Sequence, residues 1–214
     1  MKKNPAVFAL VLLTIMFLLP GCLRKMQQSP TAPTEQYPIV RTVIVLPVET
    51  LVSSDDQTNL NEAQKLARGA ETMNRLLADY FAEMDSVKVI TAEQKKVLVS
   101  NYKASRSAQA REIGQQLKSD AILLTTINRY IERQGNEYSV HQPASVAFDF
   151  KLMATESGRT ICSGFFDESQ KSLFENLFSF SGAMRRKFKW ITASDLAAEG
   201  IRKRFDACPQ LHQP

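Results

Sequence analysis

The sequence predicts an α/β fold. It places a single domain at about Ile39 to Cys208, with a mixed sheet, a C-terminal antiparallel hairpin and helices packed on it in a three-layer-like arrangement. Three observations carry this. Two nearly continuous apolar runs, Ile39 to Val48 and Ala121 to Ile127, have the composition of strands buried on both faces. Between them lie helix-period patterns joined to strands by short polar turns, a succession that sets helices against a sheet. From Val146 onward the rhythm changes to period two, as in a half-exposed hairpin.

Taken in order, the first apolar strand is followed by the polar stretch Glu49 to Thr58 and then by a long helix, about Leu60 to Met84. Leu66, Ala70, Met73, Leu77 and Phe81 recur every three or four positions, so they share one face. Gly69 costs such a helix about 1 kcal/mol against Ala, which marks a close approach to the sheet. Val87 to Ile90 is a short strand. Thr91 with Gln94 forms a capping-box pattern that opens a helix to about Ser100. A further helix, Ser107 to Leu117, turns Ala110, Ile113 and Leu117 inward, and Lys118-Ser119-Asp120 leads into the second buried strand. Gly135-Asn136 is a turn signal. Val146, Phe148, Phe150 and Leu152 then alternate with Ala147, Asp149, Lys151 and Met153, and Ser157-Gly158 turns the chain into a returning strand, Arg159 to Asp167. Thr192 with Asp195 caps a last helix, Ala193 to Ala207, and Cys208-Pro209 ends it, leaving residues 209–214 as a tail.

The amino terminus carries a different kind of information. Met1-Lys2-Lys3-Asn4 is basic, Ala6 to Leu19 is apolar apart from Thr14, and Leu19-Pro20-Gly21-Cys22 follows. This is the architecture of an export signal, and the run is short for a membrane span of about 20 residues. With Gly before the cut and Cys after it, the site resembles the bacterial lipobox, which implies a signal peptide over residues 1–21 and acylation of Cys22; the alternative is an uncleaved anchor with an incidental Cys. Residues 22–38, rich in Gln, Ser, Thr and Pro, form a tether with little to bury. Leu23 after the acylated Cys resembles an outer-membrane sorting signal. The formal charge of +5 falls to +3 without Lys2 and Lys3, leaving 25 basic against 22 acidic residues, a balance that does not suggest a nucleic-acid partner.

Chemistry is sparse. There are two histidines, His141 in a strand region and His212 in the tail, so no His-based triad has support. No metal-ligand spacing and no phosphate-cradling glycine motif occurs, so neither metal nor cofactor is expected. Asp149, Asp167 and Glu168 lie in or beside the hairpin, where paired carboxylates would suit a glycan hydrolase; the plainer reading is a solvated strand face. With Cys22 acylated, Cys162 and Cys208 remain, and an exported chain permits a disulfide between them or two buried thiols.

The stretch 172–190 departs from any simple period. Phe174, Phe178, Phe188 and Trp190 crowd together with Arg185, Arg186, Lys187 and Lys189. Three readings stand: an arm that completes the core, a surface that docks on a protein partner through Phe174, Phe178, Arg185, Arg186, Phe188 and Trp190, or a membrane-surface patch.

Two stretches carry a family resemblance. Ile113 to Ile127, IGQQLKSDAILLTTI, and Val146 to Gly164, VAFDFKLMATESGRTICSG, resemble the helix–turn–strand and hairpin segments of an α/β domain found in several envelope proteins. These are the penicillin-binding-protein activator lipoproteins, the curli secretion channel lipoprotein and the amino-terminal domain of the Tol–Pal translocation protein. The resemblance implies a non-catalytic lipoprotein on the periplasmic face of the outer membrane. Such a protein would be held there through acylated Cys22 and would assist an envelope assembly or transport machine by docking on another envelope protein. A wall- or glycan-acting hydrolase and an oligomeric outer-membrane transport subunit are the alternatives, and the sequence leaves the oligomeric state open.

Overall fold

Val43, Ile44 and Val45 are buried without exception, and a strand with no polar side has to lie between two apolar layers. In a computed structural model of the protein, described for residues 39–50, 60–170 and 190–212, that is where they lie. The elements run β1 (Val43–Val45), β2 (Glu49–Thr50), α1 (Leu60–Phe81), β3 (Val87–Val89), α2 (Ala92–Leu98), α3 (Arg106–Gln116) and β4 (Ala121–Ile131). They continue with β5 (Gln134–Gly135), β6 (Val140–Gln142), β7 (Ser145–Ala154), β8 (Thr160–Ser169), α4 (Ala193–Phe205) and a 3-10 turn, Pro209–Leu211.

The main sheet has the order β3-β1-β4-β7-β8, with β2 pairing β4 beyond the end of β1. β1, β3 and β4 are parallel; β7 runs against β4, and β8 against β7. The mixed α/β architecture expected from the sequence is therefore observed, with the period-two segment as its antiparallel part. One face carries α1 and α4. Met73, Leu77 and Phe81 of α1 and Leu196, Ile201 and Phe205 of α4 pack there on Val43, Val45, Leu123, Phe148, Phe150 and Leu152. The other face carries a smaller cluster in which Ala110 and Ile113 of α3 cover Ile44, Leu46, Ile122, Leu124 and Met153. The sheet is thus the middle of three layers.

Gly69 is where the sequence marks a close approach. A Cβ there would lie 2.6 Å from Tyr130 Cβ and 3.0 Å from Ile127 Cδ1, so α1 sits on β4 at a distance only glycine allows. Both helix-opening motifs at Thr91 and Thr192 form complete capping boxes, each satisfying otherwise orphaned backbone N–H groups.

Differences from the expected elements have local causes. The run Ile39 to Val48 is regular strand only at Val43–Val45, because β1 ends where its ladder with β3 and β4 ends and pairing resumes at Glu49 with Thr126. β4 continues past Ile127 to Ile131 through a register shift at Asn128, which hides the alternation. Gly135-Asn136 turns a small second hairpin, β5–β6, with Gly135 at φ 120° and Asn136 Oδ1 accepting from the backbone N–H groups of Tyr138 and Ser139 at 2.9 and 2.8 Å. The chain after Cys208 is packed as far as His212: Leu211 is buried, and His212 lies edge-on to Tyr80.

Candidate functional site

The parallel strands give the domain two ends. The chain enters at the amino ends of β1 and β4, where Asp120 ties the two together. Its Oδ2 accepts from the backbone N–H groups of Arg41 and Thr42, both at 2.9 Å, and from the Thr42 hydroxyl at 3.1 Å. Burial acts to raise the Asp120 carboxyl, but the Arg41 and Thr42 donors outweigh it and hold the group below the usual carboxylate range. The C-terminal turn closes the same end. Tyr80 donates to Asp206 at 2.6 Å, and burial, reinforced by that carboxylate, raises the phenol well above its ordinary value. Cys162 of β8 and Cys208 are joined by a disulfide with Cα atoms 6.2 Å apart.

The opposite end gathers the features that ordinary packing does not require. β8 finishes there, and Gln170 follows it, almost fully buried, its backbone N–H donating to Ala144 O at 2.9 Å. The next described residue is Trp190, whose backbone N–H donates to Glu137 O at 2.8 Å and whose carbonyl accepts from Arg133 Nη1. Ile191 N–H then donates to Gln170 Oε1 at 2.9 Å. Residues 170 and 191 are thus clasped to each other. Glu132 completes the clasp by accepting from Ala193 N–H at 3.0 Å, at the start of α4.

Beside the clasp, on the face carrying α3, runs a band of paired charge. Glu49 bridges Lys95 of α2 and Arg106 at the start of α3; Arg106 Nε lies 2.9 Å from Glu49 Oε2, although its N–H does not point at that oxygen. Arg106 also donates to Thr126 Oγ1 and, at 2.7 Å, to Thr125 O. The register shift at Asn128 turns Arg129 to this face opposite Ala147, where it bonds Ser145 Oγ at 2.6 Å and pairs with Asp167. Asn128 donates to Asp149 Oδ1 at 3.0 Å.

This arrangement bears on the residues singled out in the sequence. Asp149 and Asp167 do share a face, but each is tied to β4, Asp149 by Asn128 and Asp167 by Arg129 reaching across β7, while Glu168 pairs opposite Val146 and belongs to the other face. Trp190 is half-buried and forms part of the clasp. Cys22, Phe174, Phe178, Arg185, Arg186 and Phe188 lie outside the described residues. Sequence reasoning missed Gln170, Arg133 and Glu132, whose roles arise only when residues twenty to sixty positions apart meet. Among the described residues no group of His, Cys, Asp or Glu is placed to hold a metal ion, and no helix is long and apolar enough to cross a membrane.

No family model and no curated protein sequence matches the chain. Solved structures do. The PelC dodecamer from Paraburkholderia phytofirmans is similar over 77% of this chain and 84% of its own, with 12% identity and a TM-score of 0.41. The C-terminal domain of LpoB from Escherichia coli is similar over 69% of this chain and 92% of its own, with 17% identity and a TM-score of 0.34. Lipoprotein GNA1162 from Neisseria meningitidis is similar over 69% and 95%, with 15% identity and a TM-score of 0.34. LpoB is a lipoprotein of the penicillin-binding-protein activator group that the sequence resembles.

Proposed function

We propose that this chain is a non-catalytic lipoprotein of the bacterial envelope. In this reading acylated Cys22 holds it on the periplasmic face of the outer membrane, and the segment between Gln170 and Ile191 docks on a protein partner in an envelope assembly or transport machine. The observation that carries the reading is the clasp. The residues that flank segment 171–189 are held to each other independently of it, with β8 anchored before it and α4 capped after it. Its composition suits an interface: aromatic side chains supply a desolvated centre and arginines a charge-assisted rim. The clasp favours docking over the core-arm reading.

The test is excision. Residues 172–188 are replaced by a linker of about four Gly and Ser residues, long enough to span a side-chain hydrogen bond between backbones. The expected outcome is an unchanged melting temperature with loss of the crosslinked species that the wild-type protein forms in intact envelopes. Arg186→Glu should lose the same species, and Trp190→Ala should weaken it. A fall in stability of about 3–5 kcal/mol on excision, the cost of removing buried aromatics, would show that the segment is core and would sink the docking proposal.

A further inference from the structure

β8 has two edges. Its inner edge pairs with β7 along its length, from Ser145 opposite Ser169 to Met153 opposite Thr160. Among the described residues no strand pairs with its outer edge. An edge of ten residues that no described strand covers is a template for another strand, and proteins ordinarily blunt such edges with Pro, Lys or a pronounced bulge. Thr160–Ser169 contains neither Pro nor Lys, and its single register shift lies at its very start. At its middle it displays Phe165, 66% exposed.

The charge along this edge is ordered. Arg159, exposed, precedes the strand, and the disulfide between Cys162 and Cys208 holds the end of α4 beside its beginning. From there the Arg204 guanidinium lies 5.6 Å over the Phe165 ring, its Nε buried without a hydrogen-bond partner. The strand finishes on Asp167 and Glu168. It is basic where it starts and acidic where it ends.

We propose that β8 pairs antiparallel with β8 of a second copy of this chain, about a twofold axis near Gly164. A strand with this polarity complements itself in one direction only. Antiparallel pairing brings the acidic end of each copy to the basic end of the other, twice by symmetry, whereas parallel pairing sets like charge on like. Residues opposite each other across an antiparallel ladder share a face, so an axis through Gly164 sets Phe165 against Ser163 on the exposed face and Glu168 against Thr160, next to Arg159. Phe165 and its overlying Arg204 then lie in the seam, and the sheet continues unbroken from one copy to the other. This inference is independent of the docking segment.

The test is sedimentation of the full lipidated chain in a nonionic detergent over a concentration series. The wild-type protein should dimerise reversibly. Phe165→Lys, which installs the usual edge-blunting charge, should raise the dissociation constant at least about tenfold at unchanged melting temperature. Ser163→Lys should do the same on the same face, and serves if the first variant folds poorly. Glu168→Arg should weaken the dimer, and adding Arg159→Glu should restore it. A wild-type protein that stays monomeric to about 100 µM overturns the proposal. So does a dimer indifferent to Phe165→Lys and Ser163→Lys, or one that the charge swap fails to restore.

Discussion

Cutting the bond between Cys162 and Cys208 offers the sharpest single test of how this domain is held together. The bridge spans 46 residues, from near the start of β8 to the residue that precedes the 3-10 turn after α4, and so closes a loop that contains both the clasp and the segment it brackets. In the chain-entropy model a loop of that length removes about 13–14 cal/mol/K from the unfolded ensemble, or about 4 kcal/mol at 25 °C. For a domain of this size, with a urea m-value of about 2 kcal/mol/M, reduction should lower the unfolding midpoint by about 2 M. Urea denaturation of the oxidised and reduced protein followed by fluorescence measures this, with thiol titration on each to verify the redox state. The Cys162→Ala, Cys208→Ala double variant should match the reduced protein within about 1 kcal/mol, the extra loss coming from the buried Cys208 side chain. Two free thiols in the folded, air-exposed protein would refute the bridge. An intact bridge whose loss costs under about 1 kcal/mol would show that Leu211, Tyr80 and Asp206 already fix the C-terminal turn in the absence of the bond.

Three further outcomes can be checked. Gly69→Ala gains about 1 kcal/mol of helix propensity but sets a methyl 2.6 Å from the Cβ of Tyr130, which cannot swing aside; overpacking of about 1–3 kcal/mol should leave the variant net less stable in chemical denaturation, and a more stable variant would mean that α1 lifts freely. Asp120 has a carboxyl depressed in the folded state, so its contribution is present above the unfolded carboxylate value near about 4 and is lost as pH falls through the lower folded value; Asp120→Asn should flatten that acid limb of the stability profile, and an unchanged limb would place it elsewhere. Cys22→Ala should abolish labelling by palmitate and release the protein from the membrane fraction, while persistence of both would rule out the lipobox.

The layers of this fold were legible because apolar spacing reports them directly. Val43, Ile44 and Val45 read as doubly buried and are; the three-and-four spacing of Met73, Leu77 and Phe81 reads as one face and is. Gly69 was legible as a contact because nothing in an isolated helix explains it. What escaped was set by pairing rather than by pattern. The end of β4 looked polar because Asn128 interrupts its alternation, and the β5–β6 hairpin is too short to establish a period. At the candidate site Trp190 stood out by composition, but its backbone carbonyl is what Arg133 holds, and no side-chain pattern predicts a main-chain contact. Gln170 was invisible for a related reason: a buried glutamine is identified by the chain end it clasps, and that end lies twenty-one residues away.

The irregularity at Asn128 means that β4 has two different insides. Up to Ile127 its odd-numbered residues face α1; beyond the extra residue the even-numbered ones do, so Tyr130 rests under Gly69 while Arg129 faces the polar side. One surplus residue therefore acts as a parity switch between an apolar lower strand and a strand that serves both the helix layer and the charged band. Drawing that residue into a regular ladder would press a guanidinium into the helix layer and expel a ring to solvent, whereas deleting Asn128 would close the irregularity and leave Arg129 opposite Ala147 and Tyr130 opposite Val146, each on its present face. Within the regular stretches on either side of Asn128, by contrast, changes in length keep both faces only when they come in even numbers.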